Sequence, residues 1–130
     1  MRSMDSTLPC PCGSGLPYRG CCGALHDGTH MAGSAEALMR SRYSAYVLDR
    51  RDYLLATWHP STRPAELPPP EPGLRWLGLQ VKRHVQTDAT HATVEFVARS
   101  KLGGRAHRLH ETSRFVREHG RWFYVDGELH

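Results

Sequence analysis

Hydrophobic and polar positions change their period along the chain, and the change separates helices from strands. After Ser34, the residues Leu38, Met39, Tyr43, Tyr46 and Val47 recur at three- and four-residue steps, the spacing of one apolar helix face. Ser34 is placed to cap that helix, and Glu36 puts an acid in its first turn. Arg40, Ser44 and Arg51 fall on the side expected to be wet. A shorter helix is expected from Asp52 through Tyr53, Leu54, Leu55 and Trp58, stopped by Pro60. Six prolines between Pro60 and Gly73 then force a loop or an extended connection.

From Leu74 onward the period becomes two, and four strands are expected: Arg75–His84, Ala89–Lys101, Arg105–Glu118 and Arg121–Gly127. Gly103-Gly104 and His119-Gly120 have the length and residue types of two-residue hairpin turns. Such turns fix register. The first sets Ala98 opposite Leu109, Phe96 opposite Glu111 and Val94 opposite Ser113. The second sets Arg117 opposite Trp122, Phe115 opposite Tyr124 and Ser113 opposite Asp126. Both turns agree on one inner face: Ala92, Val94, Phe96, Ala98, Leu109, Glu111, Ser113, Phe115, Trp122, Tyr124 and Asp126. The fold class is therefore α+β, an antiparallel meander whose inner face meets the helices, preceded by a small loop region.

Composition narrows the setting. In 130 residues, 39% hydrophobic and 23% charged positions are ordinary for one compact domain with a small appendage. No apolar run approaches the ~20 residues of a membrane span, so no membrane association is expected. Residues 1–22 have no apolar core of the signal-peptide kind, which makes the expected location cytoplasmic. The formal charge of +4 is scattered and forms no basic stripe, so nothing supports nucleic acid as a partner.

The cysteines carry the sharpest chemistry. Cys10, Cys12, Cys21 and Cys22 all fall within the stretch CPCGSGLPYRGCCG. A disulfide framework would suit a secreted scaffold, and adjacent cysteines rarely reach disulfide geometry with each other. Four thiolates drawn together by a short loop suit a tetrahedral Zn²⁺ instead. Gly13 and Gly15 sit where the chain must curl around an ion, and Pro9, Pro11 and Pro17 stiffen the flanks. His26 and His30 follow closely enough to stand in for a cysteine ligand.

The same stretch resembles the SEC-C motif, the zinc module at the carboxy terminus of the bacterial preprotein translocase motor, through Cys10, Cys12, Gly13, Ser14, Gly15, Tyr18, Cys21, Cys22 and Gly23. In the translocase version the last ligand is commonly His; here Cys22 holds that position. The segments LMRSRYSAYV, ATWHPSTRP, LHETSRF and GRWFYVDG are similar to the YchJ family of uncharacterised bacterial proteins. That resemblance implies a cone-shaped fold like nuclear transport factor 2, a curved sheet wrapped over helices. It divides the chain into a zinc module over 1–30 and an α+β domain over 31–130. It also implies protein partners, since SEC-C modules contact proteins.

The polar groups on the inner face pose the functional question. Glu111, Ser113 and Asp126 point toward the helices, where an unpaired carboxylate is expensive. Arg42, Tyr43 or Tyr46 on the long helix could partner them. Two carboxylates with an Arg suit proton transfer in a pocket, and they equally suit a buried pair that fixes helix-to-sheet registry. His59 and Arg63 are candidates for the pocket mouth or for bracing their own loop; His110 faces outward. On the outer face Val97, Val116, Phe123 and Val125 form an apolar group, with Glu95 diagonal to Arg114. Such a group calls for a cover, either the zinc loop or a second copy in a homodimer.

Two functions lead, with nucleic-acid binding through the cysteine loop and Arg19 a weak third. The first is an interaction or adaptor module with a structural zinc. The second is a small-molecule receptor or enzyme built on the pocket around Arg42, Tyr43, Glu111, Ser113, Tyr124 and Asp126. Four cysteine ligands leave zinc no open position for water, which removes catalytic zinc from the second.

Overall fold

The computed structural model describes residues 8–130; the first seven residues of the predicted zinc module lie outside the described residues. A 3₁₀ turn at Tyr18–Gly20 leads into α1 (Cys22–His26), followed by α2 (Ala35–Val47) and α3 (Arg51–Ala56). Four strands follow: β1 (Arg75–Gln86), β2 (His91–Leu102), β3 (Arg105–Glu118) and β4 (Arg121–Leu129). They form one antiparallel meander in the order β1-β2-β3-β4. The mixed α+β class and the four expected strands are as the sequence pattern predicts, with ends shifted by no more than two residues.

Local chemistry explains the boundaries. Ser34 caps α2 by accepting from the amide of Ala37 at 3.1 Å. α3 begins at Arg51 and ends before Trp58, which leaves the helix and bridges in parallel to Tyr124. Gly103, Gly104, His119 and Gly120 all have positive φ, the backbone that a hairpin with two left-handed central residues requires. The β2–β3 register is the predicted one, with Ala98 opposite Leu109, Phe96 opposite Glu111 and Val94 opposite Ser113.

The β3–β4 register follows its turn only as far as Phe115 opposite Tyr124. A bulge then intervenes, and Arg114 pairs with Asp126 while Ser113 pairs with Gly127. One inserted residue reverses every later side chain. Asp126 therefore leaves the predicted inner face, and its Oδ1 accepts from Arg114 Nε at 2.6 Å on the outer one. The predicted pairing of Ser113 with Asp126 is replaced.

The main core lies between α2 and the sheet, where Leu38, Met39 and Tyr43 meet Val94, Phe96, Phe115 and Trp122. A second apolar cluster holds Cys10, Cys12 and Cys22, and Leu79 of β1 packs against both. Ser44 is fully buried, with Cys10 Sγ 3.6 Å from its Oγ, and Arg40 Nη1 donates to the carbonyl of Cys12 at 2.9 Å. The side of α2 expected to be wet is thus covered by the cysteine loop, and α2 is buried on two sides. That placement also removes the loop as a cover for the outer sheet face. There Val97 is buried and Val116, Phe123 and Val125 are half-buried, while the turn after α3 lies along β4.

Candidate metal centre and cone pocket

The cysteine loop is built by a miniature hairpin. Tyr18 N–H donates to Leu8 O at 2.8 Å, Cys10 N–H donates to Leu16 O at 2.9 Å, and Pro9 and Pro17 form an antiparallel bridge. Gly13 and Gly15 turn the chain between them with φ of 81° and 85°, a region that side chains disfavour. The four sulfurs lie within 4.8 Å of one another, and Cys12 Sγ is 3.7 Å from Cys21 Sγ. A tetrahedral ion at Zn–S ~2.3 Å sets its sulfurs about 3.8 Å apart. The donor set fits a thiolate-bound metal of the zinc or iron kind.

Burial makes that cluster dependent on a cation. Cys12 and Cys22 are almost wholly enclosed. Hydrogen bonds from Cys12 and Cys22 hold the Cys10 thiol far below its ordinary range. The Cys22 thiol is pushed far up, because Cys10 and Cys12 claim its hydrogen bonds and burial adds to the effect. Burial also raises the Cys21 thiol. The Cys10 thiolate is favoured while Cys21 and Cys22 resist ionising, so a full set of thiolates needs a bound cation to balance it.

Neither histidine belongs to the four-sulfur group. His26 Nε2 donates to Ser41 O at 2.8 Å, so its Nδ1 accepts from Tyr18 OH at 2.7 Å. Both nitrogens are committed, and burial holds the imidazole below its usual pKa and neutral. His26 is a strut between the loop and α2. His30 is exposed. Gly23 has its own reason: a Cβ there would lie 2.7 Å from Tyr18 O and 2.9 Å from the Tyr18 ring.

Beneath the sheet lies a half-open cavity of about 260 Å³. Arg42, Tyr43, Glu111, Ser113 and Tyr124 line it, as the sequence predicts. His59 and Asp126 do not. His59 follows Trp58 over the edge of β4, so its ring packs edge-on against Phe123 at 5.9 Å and its Nε2 sits 3.0 Å from Glu118. Arg63 braces the same turn by donating to Trp58 O at 3.0 Å.

Among the described residues Glu111 takes none of its expected helix partners, neither Arg42 nor Tyr43 nor Tyr46. Glu111 Oε2 accepts from Ser113 Oγ at 2.6 Å. Arg42 Nη1 donates to Leu54 O at 2.8 Å and to Thr57 Oγ1 at 2.7 Å, while the guanidinium lies over the rings of Tyr124 and Trp58. Burial lowers the Arg42 pKa to about 10, leaving it charged at neutral pH. Burial, then the Glu111 charge, pushes the Tyr124 phenol up to about 12.

Three contributors escaped the sequence pattern. Trp76 joins the pocket wall and meets Tyr43 edge-on at 5.7 Å; only the β1 register reveals it. Trp58 supplies a face to Arg42 because the chain turns after α3. On the outer face Glu95 accepts from His110 Nε2 at 2.7 Å, not pairing with Arg114, and His130 stacks on His110 at 4.3 Å. Glu95, His110 and His130 form a second group of potential ligands, legible only as a diagonal cross-strand pair plus a residue beyond the expected end of β4.

Comparison with known proteins bears on both sites. Residues 34–127 match the family described as YchJ, middle NTF2-like domain, and residues 7–24 match the SEC-C motif. A UPF0225 protein of Methylibium petroleiphilum is 68% identical over 123 residues, covering 94% of this chain and 89% of its own. The solution structure of a SEC-C motif containing protein from Rhodopseudomonas palustris superposes with a TM-score of 0.82 at 38% identity, covering 93% of this chain and 98% of that one. A crystal structure of a SEC-C motif containing protein from Psychrobacter arcticus gives a TM-score of 0.79 at 30% identity, covering 95% and 83%.

Proposed function

Because the chain belongs to the YchJ family, with a SEC-C motif ahead of an NTF2-like domain, we propose that it is a zinc-stabilised interaction module. Cys10, Cys12, Cys21 and Cys22 hold one structural Zn²⁺, and the outward rim of the loop receives a partner protein. One observation carries the reading. The loop buries Cys10, Cys12 and Cys22 yet leaves Leu8 and Leu16 about half exposed, at 51% and 53%, on the two paired arms of the miniature hairpin. Exposed apolar side chains held on a rigid, metal-fixed turn are suited to seat in a partner's pocket. Arg19, also exposed, adds a cation at the rim.

The domain behind the loop acts as a platform. Ser44, Arg40 and Leu79 grip the loop from beneath, so its rim keeps one orientation. A cytoplasmic location goes with this reading, because four close thiols persist unoxidised in a reducing compartment. No helix among the described residues is long and apolar enough to cross a membrane.

The test separates metal from docking. Elemental analysis of protein purified under reducing conditions is expected to give one zinc per chain; protein free of metal overturns the zinc assignment. Cross-linking in lysate is expected to join wild-type protein to a partner that Leu16→Glu loses while keeping its zinc. Undiminished cross-linking in that variant overturns the rim as the docking surface.

A further inference from the structure

We propose that the cavity beneath the sheet binds a small organic monocarboxylate with an aromatic-sized apolar body, whose carboxylate pairs with Arg42. The argument starts from Arg42, which is only 6% exposed and has no carboxylate within ion-pair distance among the described residues. Burying a cation without a counter-charge is costly. Two aromatic faces and the two acceptors of Nη1 offset part of that cost. The guanidinium offers five N–H donors in a planar fork, and Nε and Nη2 have no hydrogen-bond partner among the described residues. Arg42 lines the cavity, so a planar carboxylate can meet that fork with two parallel bonds.

The rest of the cavity defines the ligand's other end. Trp76, Phe96, Ala98 and Leu109 make its walls apolar, and Tyr46 and Leu109 stand at its solvent side, 42% and 37% exposed. A volume of about 260 Å³ sits at the small end of ligand pockets, matching a single ring with a short substituent. Glu111 sets the charge limit. It shares the cavity and is held by Ser113 rather than by Arg42, so a second negative charge on a ligand would face it. That favours a monoanion over a phosphate ester or a dicarboxylate.

Arg42 also joins α2 to the end of α3, so the test must separate ligand binding from bracing. The zinc-loaded full chain is titrated with benzoate and, separately, with its neutral isostere benzamide, following amide and indole signals by nuclear magnetic resonance. Saturable shifts at Trp76, Ala98 and Leu109 are expected, with benzoate on the order of tenfold tighter than benzamide, as charge-assisted pairing to Arg predicts. Arg42→Gln is expected to erase the difference between the two probes. Should that variant not fold, Ala98→Met leaves Arg42 in place and fills the cavity, and it is expected to abolish the shifts. Equal affinity for the two probes, no saturable shift with either, or shifts that survive Ala98→Met would each overturn the proposal.

Discussion

Gly127 stands opposite Ser113 on the inner face, and the Glu111 side chain occupies the space that a side chain on Gly127 would need. The bulge before Asp126 creates this relationship, by carrying a carboxylate outward and bringing a glycine in. Gly127→Ala sets a methyl 2.6 Å from Glu111 Cδ. The expected cost is about 1 kcal/mol of unfolding free energy, the low end for overpacking, because Gly127 is exposed and the clash is with the movable carboxyl end of Glu111. Glu111→Ser should relieve most of it, so chemical denaturation of both singles and the double is expected to show coupling of roughly 0.5 kcal/mol or more. Strict additivity would mean that Glu111 rotates away freely.

Metal removal should act locally. The cysteine loop has little apolar core beyond Tyr18 and Leu79, so a metal held by its four thiols would supply most of its folding energy. Chelation is expected to open amides between Cys10 and His26 to hydrogen exchange while β2 and β3 stay protected. Exchange rising equally across the sheet would show that the loop supports the whole domain.

Gly23→Ala tests the loop without touching a ligand. The new methyl meets the Tyr18 carbonyl and ring, and the carbonyl belongs to backbone that cannot rotate aside. A loss of about 1–3 kcal/mol is expected, together with weaker zinc retention against a competing chelator. Gly20→Ala, with nothing within 4 Å of its added carbon, is the matched control.

His26 gives a pH dependence with a definite sign. Its folded pKa is held below the ordinary 6.5, chiefly by burial. The unfolded chain therefore binds a proton first, and the stability present above pH about 6.5 falls as pH drops through that value toward the lower folded pKa. Zinc release by thiol protonation overlaps this range. The contrast with His26→Gln isolates the imidazole. Below pH 6.5 the melting temperature of wild type is expected to fall more steeply than that of the variant, and parallel profiles would mean that folding leaves the His26 pKa unshifted.

What the sequence discloses follows from how local each determinant is. The Gly103-Gly104 and His119-Gly120 turns are local, and they suffice for the β2–β3 register and the start of β3–β4. The bulge is a single extra residue with no turn chemistry of its own, so Asp126 was expected inside. Ser44 was expected to be wet because a helical period assumes one buried face; only the docked cysteine loop makes a second. The cysteine spacing reveals the four-sulfur cluster directly, since all four lie on one short loop. A helix partner for Glu111, with Arg42 among the candidates, is not realised, for the opposite reason. Arg42 and Glu111 each have a nearer partner, Thr57 and Ser113, that the sequence does not bring into view.

The two-sided burial of α2 also has a consequence for synthesis. The chain emerges with its cysteines first, then α2, and only later Leu79, which both clusters share. Metal capture needs only the first of these. Docking needs the last, because the seat of the loop is completed by a strand made some sixty residues after Cys22. A loop loaded with a metal at that stage would have no finished surface to rest against, so the order of translation would separate loading from seating.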